Sequence, residues 1–125
     1  FYVDQKEGHN FYGEYIGREL VEMTRRMFPL SRKREDTYIG GLSMGGYGAL
    51  RNGLKYSGTF GCIASLSGAM LIDDIAERTD DTASFIDSRT YAQSVFGNLE
   101  QAAESDKNPK GLVRRLKEKT SRRSI

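Results

Sequence analysis

The chain of 125 residues carries a net charge of +2, and 38% of its residues are hydrophobic, which suits one domain with a single core. Its charged residues amount to 29% and mix both signs, which argues against a dedicated nucleic-acid binder. No segment has the roughly 18 to 20 apolar residues of a membrane span, and the first residues lack the layout of a signal peptide. We therefore expect a cytoplasmic protein with neither nucleic-acid nor membrane partners.

The first predicted element is a helix from about Phe11 to Phe28. Asn10 is its predicted N-cap, and Pro29 is expected to end it because the proline ring cannot continue the hydrogen-bond ladder. The apolar residues of this segment recur at a spacing that places them on one helical face: Phe11, Tyr12, Tyr15, Ile16, Leu20, Val21, Met23 and Met27.

A strand, a turn, a helix and a second strand follow in that order. Residues 37–42 form a β-prone run that passes directly into a helix over residues 43–54. Residues 60–66 are almost unbroken in apolar character, which is typical of a strand buried on both faces, and Cys62 within them is expected to be buried. This order of elements predicts an α/β fold with parallel strands flanked by helices.

The second half of the chain has a looser pattern. A short helix is expected around residues 71–76, inside an otherwise irregular polar stretch. Asn108 and Pro109 indicate a helix start, with asparagine as the cap and proline in the first helical position. The basic residues of that helix are expected to form a solvated face.

Residues 41–45 read GLSMG and match the pattern G-x-S-x-G. In that pattern the serine, here Ser43, occupies a sharp strand-to-helix turn and presents its hydroxyl at the tip of the sheet. Gly41 and Gly45 are expected to relieve crowding, since a Cβ at either position would collide in so tight a turn. A helix beginning at Ser43 directs free N–H groups at a reacting carbonyl, so the N–H of Met44 is the expected oxyanion donor.

A structural glycine-rich turn is the alternative interpretation of this motif. Two phosphate-binding patterns are excluded, because no Gly-Lys-Ser/Thr follows and the glycine spacing does not give the dinucleotide fingerprint. The strand before Ser43 and the helix after it favour the nucleophile interpretation.

Residues 40–50, GGLSMGGYGAL, with Phe60 and the run ASLSGA at residues 64–69, resemble the esterase D and tributyrin esterase group of α/β-hydrolases. That group includes feruloyl and acetylxylan esterases, and the similarity extends more faintly towards both ends of the chain. Tyr47 stands where S-formylglutathione hydrolases have a histidine, which favours the carboxylesterase branch. The resemblance implies a partial α/β-hydrolase fold, a three-layer sandwich with a parallel sheet at its centre.

The resemblance also implies a function. It suggests a serine carboxylesterase that hydrolyses short acyl esters, including acetylated or feruloylated carbohydrates, through an acyl-enzyme on Ser43. The substrate would be a small-molecule ester, and neither a metal nor an organic cofactor would be needed. Acyl transfer to an acceptor other than water would use the same serine.

A serine esterase also needs a base and a carboxylate, which in this fold follow the nucleophile as Asp or Glu and then His. The only histidine, His9, precedes Ser43 and is expected to be a surface or turn residue rather than the base. The resemblance places the acid and the base beyond the helix that starts at Asn108. Surface or capping roles are expected for five aspartates: Asp73, Asp74, Asp80, Asp81 and Asp87.

Residues 1–125 are therefore expected to form one incomplete α/β-hydrolase domain, from the nucleophile turn to the start of a lid segment. A hydrolase-like scaffold that lacks a triad and binds a ligand or partner is the alternative. In either case the two predicted strands would leave sheet edges and apolar faces uncovered. We expect the isolated chain to form homo-oligomers or to pair through these edges.

Overall fold

The computed structural model describes residues 1–123. Its strands are β1 Asp4–Gln5, β2 Asn10–Phe11, β3 Tyr38–Leu42 and β4 Cys62–Leu66. Its α-helices are α1 Tyr12–Glu14, α2 Leu20–Met27, α3 Met44–Lys55, α4 Arg89–Phe96, α5 Leu99–Ala102 and α6 Pro109–Arg123. A π-helical segment, Tyr15–Glu19, joins α1 to α2, and short 3-10 turns lie at Arg34–Asp36, Ile75–Glu77 and Phe85–Asp87.

The first helical segment begins differently from the prediction. Asn10 is not its N-cap, because Asn10 pairs with Gln5 in the antiparallel β1–β2 ladder, and Phe11 takes the capping position without a side-chain hydrogen bond. The carboxylate of Asp4 instead accepts the backbone N–H of Glu14 at 2.9 Å. The predicted end is confirmed, since Phe28 is extended, with φ −131° and ψ 152°, as expected for a residue before proline.

The central unit is the parallel pair of strands β3 and β4 with helix α3 packed against it. Their register pairs Tyr38 with Cys62 at one end and Leu42 with Leu66 at the other. Gly53 lets α3 lie close to the sheet, because a Cβ there would come within 2.5 Å of the Ile63 side chain. The predicted α/β class, with parallel strands packed against helices, is confirmed.

The sheet face opposite α3 is exposed among the residues that the structure describes. Ile39 and Ile63 face the helix and are half-buried, whereas Tyr38 and Leu42 are each 68% exposed and Leu66 is 60% exposed. Cys62 is exposed as well. The prediction that this strand is buried on both faces, with Cys62 inside, is therefore wrong, because apolar composition does not show which neighbour covers a strand.

The hydrophobic core lies between α3 and the second half of the chain. Tyr47 of α3 and Val3 are buried there, and the rest of the cluster comes from Ile72, Ile75, Ala92, Phe96, Leu99 and Ala102. The expected helix over residues 71–76 is wrong, since only the 3-10 turn at Ile75–Glu77 forms. Burying an apolar side chain such as that of Ile75 contributes about 1.5–3 kcal/mol, so this irregular segment helps to hold α3 in place.

Helix α6 begins at Pro109, as predicted, and the Asn108 side chain accepts the N–H of Lys110 at 3.0 Å. Its basic side chains are exposed through Arg122, in agreement with a solvated face. Among the helices of residues 1–123, none combines the length and the apolar character that crossing a membrane requires.

Candidate active site

Ser43 occupies the junction between the end of β3 and the start of α3. Its backbone has φ 55° and ψ −115°, a left-handed conformation that costs a residue other than glycine about 1–3 kcal/mol. The predicted sharp strand-to-helix turn is confirmed by this geometry. Ser43 is exposed, and its side chain makes no capping hydrogen bond to its own helix. The hydroxyl is therefore accessible to a reactant.

The two glycines of the motif have different surroundings. A Cβ on Gly41 would lie 2.2 Å from the carbonyl oxygen of Gly45 and 2.9 Å from its Cα, so only glycine fits at position 41. A Cβ on Gly45 would meet no atom within 4 Å apart from its chain neighbours and the backbone of its own helical turn. The expected collision is thus confirmed for Gly41 and wrong for Gly45, because the crowding consists of the Gly45 backbone occupying the space beside Gly41.

The first turn of α3 presents backbone N–H groups beside Ser43. The earliest N–H of this turn that bonds within the helix belongs to Tyr47 and reaches the Ser43 carbonyl at 3.0 Å. The N–H of Met44 precedes it, in the part of a helix where donors have no intrahelical acceptor and the macrodipole is positive. Such a donor can stabilise negative charge that develops on an oxygen next to Ser43.

A cavity of about 680 Å³ opens beside Ser43. The residues that line it include the segment 39–45 together with Tyr2, Ile16 and Asn52, and none of its lining residues is Asp, Glu or His. His9 lies elsewhere, exposed in the turn between β1 and β2. The structure therefore does not bring a base to Ser43 within residues 1–123.

The five aspartates for which surface or capping roles were predicted are all exposed. Asp80 accepts the backbone N–H of Thr90 at 2.8 Å, and this hydrogen bond lowers the pKa of its carboxyl group. Asp73 pairs with Lys110, and the pKa of Asp73 is lowered by that contact. In the part of the chain that the structure describes, no three His, Cys, Asp or Glu side chains are grouped closely enough to hold a metal ion.

Helix α3 is anchored by buried polar side chains that the sequence pattern did not predict. Arg51 is fully buried, and its guanidinium lies 3.1 Å from the Asp106 carboxylate and 3.6 Å from that of Asp4. Asn52, also fully buried, donates to the carbonyl of Tyr2 at 2.9 Å. The only signal in the sequence was a charged residue within a helix expected to lie against the sheet.

Tyr47 supplies a further anchor on the buried side of α3. Its hydroxyl donates to the backbone carbonyl of Lys107 at 2.6 Å. Burial raises the pKa of the Tyr47 phenol, so the group stays protonated and keeps this donor. Helix α3, which follows Ser43, is consequently fixed to the loop before α6.

Comparison with known proteins places this geometry in a family. A family model described as "Putative esterase" matches residues 1–121. An acetyl esterase of Caldicellulosiruptor saccharolyticus is 48% identical over 118 residues, which cover 94% of this chain and 44% of that protein.

Two solved structures are also similar. FphF, a fluorophosphonate-binding serine hydrolase of Staphylococcus aureus in a substrate-bound form, has a TM-score of 0.74 and 28% identity over 95% of this chain and 43% of its own. The S-formylglutathione hydrolase FrmB of the same species has a TM-score of 0.66 and 27% identity, over 91% of this chain and 41% of its own.

The chain thus spans less than half the length of these relatives. The resemblance to α/β-hydrolase esterases is confirmed over that part. Because the family model matches nearly every residue, the chain belongs to the esterase family that this model describes.

Proposed function

We propose that this chain is the nucleophile-bearing part of a serine carboxylesterase that hydrolyses short-chain acyl esters through an acyl-enzyme on Ser43. The observation that carries the proposal is the backbone of Ser43, held at φ 55° at the exposed end of a parallel strand and the start of a helix. A nucleophilic serine in a G-x-S-x-G motif requires this turn. The 48% identity to an acetyl esterase supports acetyl as the acyl group.

In the proposed mechanism the Ser43 oxygen attacks the ester carbonyl and gives up its proton to a base. The carbonyl oxygen becomes an oxyanion and accepts a hydrogen bond from the N–H of Met44. Collapse of the tetrahedral intermediate expels the alcohol, which takes the proton, and leaves an acyl-enzyme that water then hydrolyses. Acetylated or feruloylated carbohydrates fit this chemistry as substrates.

The base and its orienting carboxylate would come from polypeptide outside residues 1–123, which would complete a single domain with this chain. A binding scaffold without a triad is the second candidate, and the specific observation in its favour is that no Asp, Glu or His of residues 1–123 lines the cavity beside Ser43. The two candidates differ in one measurable property, the turnover of an ester.

Replacement of the nucleophile tests the proposal. Ser43→Ala in the complete gene product is expected to lower kcat for p-nitrophenyl acetate by roughly a thousandfold or more, because the attacking oxygen is lost. Ser121→Ala, at an exposed position of α6, is the matched control and should leave kcat unchanged. Turnover retained in Ser43→Ala would remove this serine from the mechanism, and a wild-type protein without turnover would favour the scaffold.

A further inference from the structure

The segment Leu66–Ala69, which follows β4, holds the backbone of Ser43 from both sides. The N–H of Ser43 donates to the carbonyl of Leu66 at 2.9 Å, and the N–H of Ala69 donates to the carbonyl of Ser43 at 3.0 Å. Both polar groups of the Ser43 backbone are thus bound by one four-residue segment. The orientation of the Ser43 turn depends on the shape of that segment.

The segment lies directly against the first turn of α3. A Cβ on Gly46 would come within 2.7 Å of the Leu66 carbonyl oxygen and 3.0 Å of the Gly68 Cα. The hydroxyl of Ser65 donates to the Gly46 carbonyl at 2.8 Å. The segment and the first turn of α3 are therefore closely packed, and the Ser65 hydroxyl joins the end of β4 to that turn.

Ser67, inside this segment, is strained. Its φ is 46°, and the other residues besides glycine with positive φ among those described are Ser43 and His9. A non-glycine residue in this region stores about 1–3 kcal/mol, and such strain persists where the surrounding structure enforces it. The reversal at Ser67 lets the Leu66 carbonyl and the Ala69 N–H reach the same residue.

We infer that Ser67 is a positioning residue for the reaction, acting through the backbone of Ser43. The inference rests on the proposed function of Ser43 as nucleophile. The left-handed conformation of Ser67 shapes the Leu66–Ala69 segment, which fixes the direction of the Ser43 hydroxyl relative to the N–H of Met44. A residue that resists positive φ would open this segment and misplace the nucleophile, while substrate binding would be unaffected.

The test compares substitutions that differ in their tolerance of positive φ. Ser67→Val introduces a β-branched side chain, for which positive φ is strongly unfavourable, and Ser67→Thr is a milder variant in case valine prevents folding. Ser67→Gly and Ser67→Asn accept this conformation readily. His9→Val is the matched control, because it places valine at a φ of 51° in the turn between β1 and β2, and His9 does not line the cavity beside Ser43.

The measured quantity is the rate of the acylation burst that the complete gene product shows with p-nitrophenyl acetate. The amount of folded protein is determined separately for each variant. Ser67→Val is expected to lower the acylation rate about ten- to a hundredfold, as misplacement of a reacting group does. The substrate dissociation constant, taken from the concentration dependence of the burst rate, should stay within about twofold, since KM itself changes with the acylation rate. The acylation rate of Ser67→Thr should also be lower than that of the wild type. Ser67→Gly and Ser67→Asn should keep the wild-type acylation rate. His9→Val should have a lower free energy of unfolding but an unchanged acylation rate.

Three results would overturn the inference: an unchanged rate in Ser67→Val or Ser67→Thr, an equal loss in Ser67→Gly, or an equal loss in His9→Val. Ser43→Ala is measured alongside these variants. An inactive Ser43→Ala with a fully active Ser67→Val would refute the role of Ser67 alone, whereas an active Ser43→Ala would refute the proposed function itself.

Discussion

At the scale of single residues, the G-x-S-x-G pattern treats its two glycines alike, and the structure separates them. Gly41 faces the backbone of Gly45 at a distance that no Cβ can occupy, whereas Gly45 faces open space. Packing around Ser43 therefore requires glycine at position 41, whereas the described residues leave room for a side chain at position 45.

This difference predicts opposite outcomes for matched substitutions. Gly41→Ala should lower the free energy of unfolding by about 1–3 kcal/mol and abolish esterase turnover, because the added methyl group must displace the start of α3. Gly45→Ala should cost no stability, since alanine favours a helix over glycine by up to about 1 kcal/mol. Urea unfolding of both variants of the complete gene product measures this, and equal losses would show that the crowding is symmetric after all.

The sequence predicted the turn at Ser43 because the motif and its flanking elements are local. It did not predict that Gly41 is crowded and Gly45 is not, nor the strain at Ser67, which lies in the segment that packs against α3 after β4. The contacts of that segment join residues that lie far apart in the sequence, such as Ser43 and Leu66. No local pattern encodes them.

At the scale of elements, α3 is the part of the fold on which the proposed site depends. Its buried Arg51 connects it to Asp4 in β1 and to Asp106 before α6, and Lys55 contacts both carboxylates as well. The sequence predicted this helix but not the buried charge, because the partners of Arg51 lie far away along the chain. Breaking this network should loosen α3 from two segments at once.

The network predicts sensitivity to acid. Partial burial tends to raise the pKa of Asp106, but the hydrogen bond from Lys55 and the charge of Arg51 outweigh this effect, so the pKa lies below its ordinary value of 3.8. A carboxyl group with a lowered pKa in the folded state stabilises the protein above its unfolded-state pKa. That contribution is lost as the pH falls below about 3.8 towards the folded-state value.

Asp106→Asn should therefore lower the free energy of unfolding by about 1 kcal/mol at neutral pH. The loss is smaller than for a fully buried ion pair because a third of the Asp106 side chain is exposed. The difference from wild type should shrink as the pH falls through 3.8. Urea midpoints of the complete gene product across this range measure it, with Asp81→Asn at an exposed position as the control. A difference that is independent of pH would assign the loss to packing instead of charge.

At the scale of the whole molecule, the sheet formed by β3 and β4 presents a face that the described helices leave exposed. That face carries three large apolar side chains and a thiol, from Tyr38, Leu42, Leu66 and Cys62. The sequence predicted two apolar strands and their parallel pairing. It could not show what covers them, because an apolar run has the same composition whether its partner is a helix of the same domain or another chain.

We predict that the isolated 125-residue chain self-associates through this face. Light scattering across a dilution series should show oligomers or aggregates, and Leu42→Lys with Leu66→Lys should reduce them because charge opposes apolar pairing. Val113→Lys, at a half-exposed position on α6, is the control and should change nothing. A stable monomer at every concentration would refute the prediction.

Locating the acyl group shows whether Ser43 forms an acyl-enzyme. The complete gene product is mixed with p-nitrophenyl acetate, quenched in acid within the burst, digested and analysed by mass spectrometry. If Ser43 is the nucleophile, the acetyl group will be found on the Ser43 hydroxyl, in the peptide that carries the GLSMG motif. An acetyl group found only on another residue, or turnover without any acetylated serine, would contradict it.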